Sequence, residues 1–169
     1  MPEMNYCMQC GTRLHLRHHE TEGEVPYCDT CGEFRYPVFN TAVSMLVMNE
    51  AKDRIILIQQ YGKRSYVLVA GYVNKGEDAE QAAVREVFEE LGLDVTSVSF
   101  NHSRYYPRTN TLMLNFTVTV KDEAPKTNYE VQNCRWFTPD EARENIRHGS
   151  LAEAFLLGYL NNGVYHFPF

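Results

Sequence analysis

This sequence is defined first by what it lacks. In 169 residues there is no apolar run approaching the roughly 20 residues that a membrane-spanning helix needs. That excludes a helical membrane protein. There is no excess of positive charge either; the net formal charge is -6. Residues 1–37 carry three arginines against six carboxylates, and residues 71–93 carry two basic groups against six acidic ones. A chain charged this way is a poor general binder of nucleic acid, which is held mainly through its phosphates. Internal repeats and low-complexity tracts are absent, which excludes a repeat array. The opening residues MPEMNYCMQCG lack the basic-then-apolar pattern of a secretory leader. The expected compartment is therefore the cytoplasm, where cysteines stay reduced and disulfides are disfavoured.

What remains is an ordinary globular composition, 44% hydrophobic and 22% charged. The length suits one domain with a real core and a small appendage. The appendage is marked by cysteine. Cys7-Met8-Gln9-Cys10 and Cys28-Asp29-Thr30-Cys31 form two C-x2-C pairs with 17 residues between them. This is the spacing of a structural Zn2+ site, and Gly11 and Gly32 follow the second cysteine of each pair as in tight metal knuckles. Four thiolates complete a tetrahedral shell, so His15, His18 and His19 are expected at the surface. Cys134, in an apolar strand before Arg135-Trp136-Phe137, is expected to be a core thiol.

The chemistry is concentrated in residues 71–93, GYVNKGEDAEQAAVREVFEELGL. The segment from Asp78 to Leu91 is predicted helical, with alanines at 79, 82 and 83 and no internal Gly or Pro. Val84, Val87 and Leu91 recur at helical spacing as the expected buried stripe. Glu86, Glu89 and Glu90 lie three and four residues apart and share a face. Like charges at that spacing repel by about 0.2–0.5 kcal/mol per pair. A divalent Mg2+ or Mn2+ would relieve this, because hard cations take carboxylate oxygens and bridge to phosphates. The alternative for any Glu-rich helix is a solvated acidic face. Gly71 and Gly76 are expected to turn the chain before the helix, and Gly92 to end it with a left-handed cap. Arg85 is placed to pair with Glu89 or Glu77, aiming carboxylates while staying off the metal.

Around this segment the pattern predicts strands over 41–48, 54–60, 66–70, 95–106, 111–120 and 131–137. A helix opens at Thr138-Pro139, with Thr138 as cap, and another covers 150–160. Strands before and after a central helix give an α/β class with a mixed sheet packed between helices. The aromatic tail, Tyr165-His166-Phe167-Pro168-Phe169, is expected to dock on the core or on the partner subunit of a homodimer.

The window from Gly71 to Leu93 fills every fixed position of G-x5-E-x7-R-E-U-x-E-E-x-G-U, with U aliphatic, and so resembles the Nudix box. The resemblance implies an α/β/α sandwich and an enzyme that cleaves a diphosphate linked to another group, usually a nucleoside. It assigns Arg85 and Glu77 an orienting role. A zinc ribbon directly before such a domain resembles the NADH pyrophosphatase branch, giving expected units of 1–36 for the ribbon and 37–169 for the Nudix domain. The larger domain that precedes the ribbon in that branch has no counterpart in these residues. The branch also carries SQPWPFPxS after the box. Here the matching stretch runs from Ser103 to Thr111; Ser103 and Pro107 agree, Tyr106 replaces Trp and Arg108 replaces Phe. These departures weaken the expectation of NADH preference and leave ADP-ribose or another nucleoside-diphosphate sugar as alternative.

On this reading Glu86, Glu89 and Glu90 hold metal, joined by Glu130, six residues before Trp136, and the carbonyl of Ala70. Glu89 or Glu90 is the expected general base, aided by Arg85. Arg104, Arg108 or Arg64 would grip phosphate, and Tyr105 and Tyr106 would stack a base. Small nucleotides are the expected partners, with nucleic acid limited to capped RNA ends. A non-enzymatic nucleotide sensor is the competing class; degenerate boxes would mark it, and this box is intact.

Overall fold

The computed structural model describes residues 4–167, so Pro168 and Phe169 of the aromatic tail lie outside the described residues. The cysteine-bearing segment folds into a small antiparallel sheet: β1 (His15–His19), β2 (Gly23–Cys28) and β3 (Glu33–Phe34), paired in that order. Cys7 and Cys10 lie on the turn before β1, and Cys28 and Cys31 on the turn between β2 and β3. Gly11 and Gly32 donate their N–H groups to the carbonyls of Cys7 and Cys28, both at 2.8 Å, and both have positive φ (74° and 69°). Only glycine takes that conformation cheaply, so each knuckle can close tightly around its two sulfurs.

The main body is a mixed six-stranded sheet between helices. Its strands are β4 (Asn40–Asn49), β5 (Ile55–Gln60), β6 (Val69–Tyr72), β7 (Val95–Tyr106), β8 (Thr111–Val120) and β9 (Val131–Phe137). The order is β7-β8-β4-β5-β9, with β6 also paired to β4. β4 and β8 run parallel over ten residue pairs, and every other pairing is antiparallel. α1 (Ala79–Leu91) packs on one face of this sheet; α2 (Pro139–Asn145) and α3 (Leu151–Leu160) pack on the other.

Alternation along the strands divides the core in two. Val43, Met45, Val47, Ile56, Ile58, Phe116 and Val118 meet Ala82, Ala83, Val87 and Leu91 of α1. Leu46, Met48, Ile55, Leu57 and Phe137 meet Ala142, Phe155 and Leu156 of α2 and α3. Thr138 caps α2, its Oγ1 accepting the Glu141 N–H at 3.3 Å. Such a cap contributes about 1 kcal/mol.

The predicted strands at 95–106, 111–120 and 131–137 match the observed ones. The strand expected at 66–70 is displaced to Val69–Tyr72, because its partner β4 pairs Ala42 with Tyr72 through Met45 with Val69. Val84 does not join the buried stripe; it is 39% exposed, while Ala82 and Ala83 take the core positions. The tail docks on the core. Tyr165 stacks on His102 at 4.4 Å between ring centroids, and Phe167 packs edge-on to Phe155 at 5.7 Å. Gly158 makes this fit possible, since a Cβ there would sit 1.9 Å from the Tyr165 ring. Among the described residues, no helix is long and apolar enough to cross a membrane.

Candidate active site

The site is built on α1. Asp78 stands at its N-cap in extended conformation, and Gly92 ends it in the left-handed region with φ 63°. Between them the helix carries Glu86, Glu89 and Glu90 to one cleft. That cleft holds about 320 Å³ and is lined by Glu86, Glu89, Glu90, Asn128, Tyr129 and Glu130. Glu130 reaches it from the loop before β9, where the Asn128 side chain accepts the Glu130 N–H at 2.9 Å.

Arg85 organises the carboxylates. Its Nε and Nη2 donate to the two oxygens of Glu77 at 2.7 and 2.9 Å, a two-pronged pairing. Its Nη1 donates to Glu86 at 2.7 Å and to Glu89 at 3.0 Å, and Nη2 also reaches the Tyr72 carbonyl at 2.9 Å. The expected choice between Glu77 and Glu89 is therefore resolved as both, with Glu86 added. The Arg85 guanidinium, helped by the Asn74 backbone N–H, holds the Glu77 carboxyl down to about 2. Glu77 thus stays ionised and fixes the arginine that fixes the other two.

Gly71 has a different role from the turn expected of it. It lies within β6 and its φ is not positive. A Cβ at Gly71 would fall 1.9 Å from Cδ of Glu86 and 2.0 Å from one of its oxygens. The missing side chain is the space in which the Glu86 carboxylate rests. Ala70 precedes it on the same strand. Gly76, by contrast, has φ 86° and turns the chain as expected.

Glu90 is the least ordinary group. It is 2% exposed. One oxygen accepts from Gln60 Nε2 at 2.8 Å, and Oε2 is buried with no hydrogen-bond partner. Burial pushes its carboxyl up, the Gln60 amide opposes this, and Glu86, Glu130 and Glu89 add to the rise, to about 8. A buried carboxylate oxygen left unpaired costs free energy unless something positive meets it. The donor set is all hard oxygen, it has a pre-cleared seat for Glu86, and one buried lone pair is unspent. It fits a divalent Mg2+ or Mn2+.

The cysteines fit a softer ion. The Sγ atoms of Cys7, Cys10, Cys28 and Cys31 all lie within 4.8 Å of one another, a grouping that could hold a metal ion. Individual separations are 3.4 Å (Cys10–Cys31), 3.5 Å (Cys10–Cys28) and 3.8 Å (Cys7–Cys31). Tetrahedral Zn–S bonds of about 2.3 Å place sulfurs roughly 3.8 Å apart. No cysteine is in a disulfide. Arg35 Nε donates to Cys7 Sγ at 3.2 Å, a contact suited to a thiolate. His15 and His18 face Asp29 and Glu24 at the surface, outside the thiol cluster.

The residues expected to bind substrate are not gathered at the carboxylate cleft. Arg64 is exposed on the stretch between β5 and β6, with its carbonyl accepting from Gln59 Nε2. Arg104 and Tyr105 alternate along β7. The Arg104 guanidinium lies 5.0 Å from the Phe167 ring centroid, toward the docked tail. Tyr105 donates its hydroxyl to Asn110 at 2.7 Å and meets Phe39 edge-on. It lines a cavity of about 650 Å³ between the ribbon and the sheet. Tyr106 is half-buried at the end of β7, and Arg108 is exposed on the hairpin turn. Sequence reasoning missed Gln60, Tyr61 and Tyr129. The signal for them was register: β5 and β9 pair Gln60 with Val131, which brings the next residues of both strands to the rim of the cleft.

The family model of the NUDIX domain matches residues 38–155. The NAD-capped RNA hydrolase NudC of Pseudomonas aeruginosa is 33% identical over 138 residues, which cover 80% of this chain and 48% of that protein. The protein of the same name from Vibrio vulnificus is 31% identical over 156 residues, 90% of this chain and 58% of that one. The chain thus spans about half the length of the curated relatives it matches. Among solved structures, a NUDIX hydrolase from Nitrosomonas europaea superposes with TM-score 0.61 at 20% identity, covering 97% of each chain. An Ap4A hydrolase from C. elegans gives TM-score 0.56 at 19% identity, covering 72% of this chain and 96% of that one.

The α/β/α fold, with its carboxylate-bearing helix against a mixed sheet, is that of a NUDIX domain. The chain belongs to the NUDIX family, and the curated proteins it is similar to include NudC proteins.

Proposed function

We propose that this protein is a divalent-metal-dependent pyrophosphohydrolase of NAD(H)-type dinucleotides, cleaving the diphosphate to release a nucleoside monophosphate. The observation that carries the metal dependence is the buried, unpartnered Oε2 of Glu90 in a cleft lined by Glu86, Glu89 and Glu130. Those four carboxylates and the Ala70 carbonyl are the groups that would hold Mg2+ or Mn2+. A bound divalent ion there supplies charge neutralisation for the diphosphate and acidifies water.

The chain's own residues do the rest. Arg85, itself neutralised by Glu77, holds Glu86 and Glu89 in position and stays engaged with protein groups. Glu90 is the stronger candidate for taking the proton of the attacking water. Glu90 is buried at the cleft with one oxygen unpartnered, while Glu89 is half-exposed and tied to Arg85. Arg64, Arg104 and Arg108 are candidate phosphate grips, and Tyr105 and Tyr106 candidate base contacts. Residues 1–36 act as a structural zinc ribbon and 37–169 as the catalytic unit.

The dinucleotide substrate is supported by the 33% identity to an enzyme named for NAD-capped RNA, so NAD-capped RNA ends belong to the same reading. Tyr106 and Arg108, which depart from the NADH pyrophosphatase motif, favour ADP-ribose or a related nucleoside-diphosphate sugar as the second reading. The test is a turnover screen with Mg2+ or Mn2+ over NADH, NAD, ADP-ribose, diadenosine polyphosphates, dNTPs and NAD-capped RNA. Highest kcat/KM on NADH, NAD or NAD-capped RNA bears the proposal out. Turnover confined to dNTPs refutes it, and binding without turnover of any substrate favours the nucleotide sensor.

A further inference from the structure

Two exposed tyrosines stand at the rim of the carboxylate cleft, and the mechanism above uses neither. Tyr129 lines the cleft itself and is 91% exposed. Tyr61 is 72% exposed and immediately follows Gln60, whose amide contacts Glu90. Strand register brings them together. β5 and β9 are antiparallel with Gln60 opposite Val131, so Tyr61 emerges at the same sheet end as Glu130 and Tyr129.

The backbone at Tyr61 is the more telling observation. Tyr61 and Gly62 have φ 54° and 71°, and Lys63 N–H donates to the Gln60 carbonyl at 3.1 Å. Two consecutive positive φ values closed by that bond make a tight turn of the kind that favours Asn, Asp or Gly at its first central position. An aromatic residue there is strained and contributes no core packing. The turn is nonetheless fixed, because Gln132 Oε1 accepts the Gly62 N–H at 2.8 Å and ties it to β9. The turn thus holds an exposed ring, at a conformational cost, beside the cleft.

We propose that Tyr61 and Tyr129 form a two-ring clamp that holds a nucleobase, or an equally flat heteroaromatic ring, on the substrate half nearest the carboxylate cleft. The inference rests on the reading that the cleft cleaves a base-bearing diphosphate. Aromatic rings stack on any base face, and a phenol keeps its polar edge in water. Such a clamp selects for a flat ring and tolerates differences among bases. It acts as a specificity determinant, and neither tyrosine is needed for bond cleavage.

The test compares wild type with Tyr61→Asn, Tyr129→Ser and the double variant on two substrates. One is the best base-bearing diphosphate from the screen. The other is P1,P2-di(ribose-5) diphosphate, which keeps the linkage and has no base. Each single change should raise KM for the base-bearing substrate about 10-fold, with kcat within about twofold. The base-free substrate should be cleaved unchanged. Tyr61→Asn should melt at the same temperature as wild type or higher, because Asn suits the turn better; a merely structural tyrosine would lower it. A KM that neither variant moves overturns the clamp alone, as does an equal loss on both substrates. A wild-type enzyme that cleaves no base-bearing diphosphate overturns the parent reading and the clamp with it.

Discussion

Neutralising Glu90 should make the metal-free protein more stable and the enzyme nearly inactive. The carboxyl is 2% exposed, with one oxygen on Gln60 and the other unpaired. Burial and its acidic neighbours raise it from an ordinary 4.5 to about 8. Between those two values the folded state binds a proton at Glu90 that the unfolded state has released. Stability is therefore full below about pH 4.5 and is lost as pH rises through 8. At about 1.4 kcal/mol per unit, the loss is on the order of 3–5 kcal/mol. For a chain of this size, 1 kcal/mol moves Tm by roughly 2–4 °C.

The assay is thermal unfolding in a chelator at pH 5 and pH 8.5, for wild type and Glu90→Gln. Wild type should lose on the order of 10 °C more than the variant across that range. Comparing the two cancels histidines and other groups that titrate in both. Saturating Mg2+ should stabilise the wild type at pH 8.5 more than Glu90→Gln, since the variant keeps Glu86, Glu89 and Glu130 but lacks one charged ligand. kcat of the variant should fall by orders of magnitude. The reasoning is refuted if metal-free wild type and variant show the same pH dependence, because Glu90 would then titrate as an ordinary surface carboxyl.

Gly71→Ala should cut kcat at least 10-fold with little change in the melting temperature of the ribbon, because its Cβ would displace the Glu86 carboxylate, 1.9 Å away, and leave the zinc cluster untouched; unchanged turnover would show the seat is not needed. Metal analysis of purified protein should find one zinc per chain, lost on Cys28→Ser together with ribbon stability, since the fourth thiolate closes the shell; zinc-free protein isolated without chelator would contradict it. Replacing Tyr105 and Tyr106 by Ala should raise KM for the nucleotide more than it lowers kcat. No change in KM would mean that Tyr105 serves only the cavity between ribbon and sheet.

The parts of the molecule legible in the sequence were those fixed by local spacing. The C-x2-C pairs with their glycines announced the thiol cluster, since each knuckle is closed by a hydrogen bond only four residues long. The strand pair 95–106 and 111–120 and the Thr138 cap were legible for the same reason. So was the shared face of Glu86, Glu89 and Glu90, which helical periodicity alone dictates. Misreadings arose where a residue answers to a distant partner. Gly71 reads as a turn glycine, yet it is a strand residue whose absent side chain houses a carboxylate from a helix 15 residues later. Val84 fits the apolar period, but the smaller Ala82 and Ala83 lie against the sheet instead.

The same distinction explains why the carboxylate cleft was readable and its surroundings were not. Its acidic half is one helix, so thirteen consecutive residues encode it. Its rim comes from the end of β5 and the start of β9, about 70 residues apart, and depends on which strands pair and in what register. A hairpin just past the box looked like the natural place for base recognition, because it holds two tyrosines and two arginines in five residues. The fold sends Arg104 toward the C-terminal tail and Tyr105 toward the ribbon, on opposite faces of one strand. Proximity in sequence does not show how the hairpin's side chains divide between the two faces, nor which rings stand at the cleft. The position of a ring relative to the cleft carboxylates is a property of sheet order, and sheet order is the quantity that local pattern does not carry.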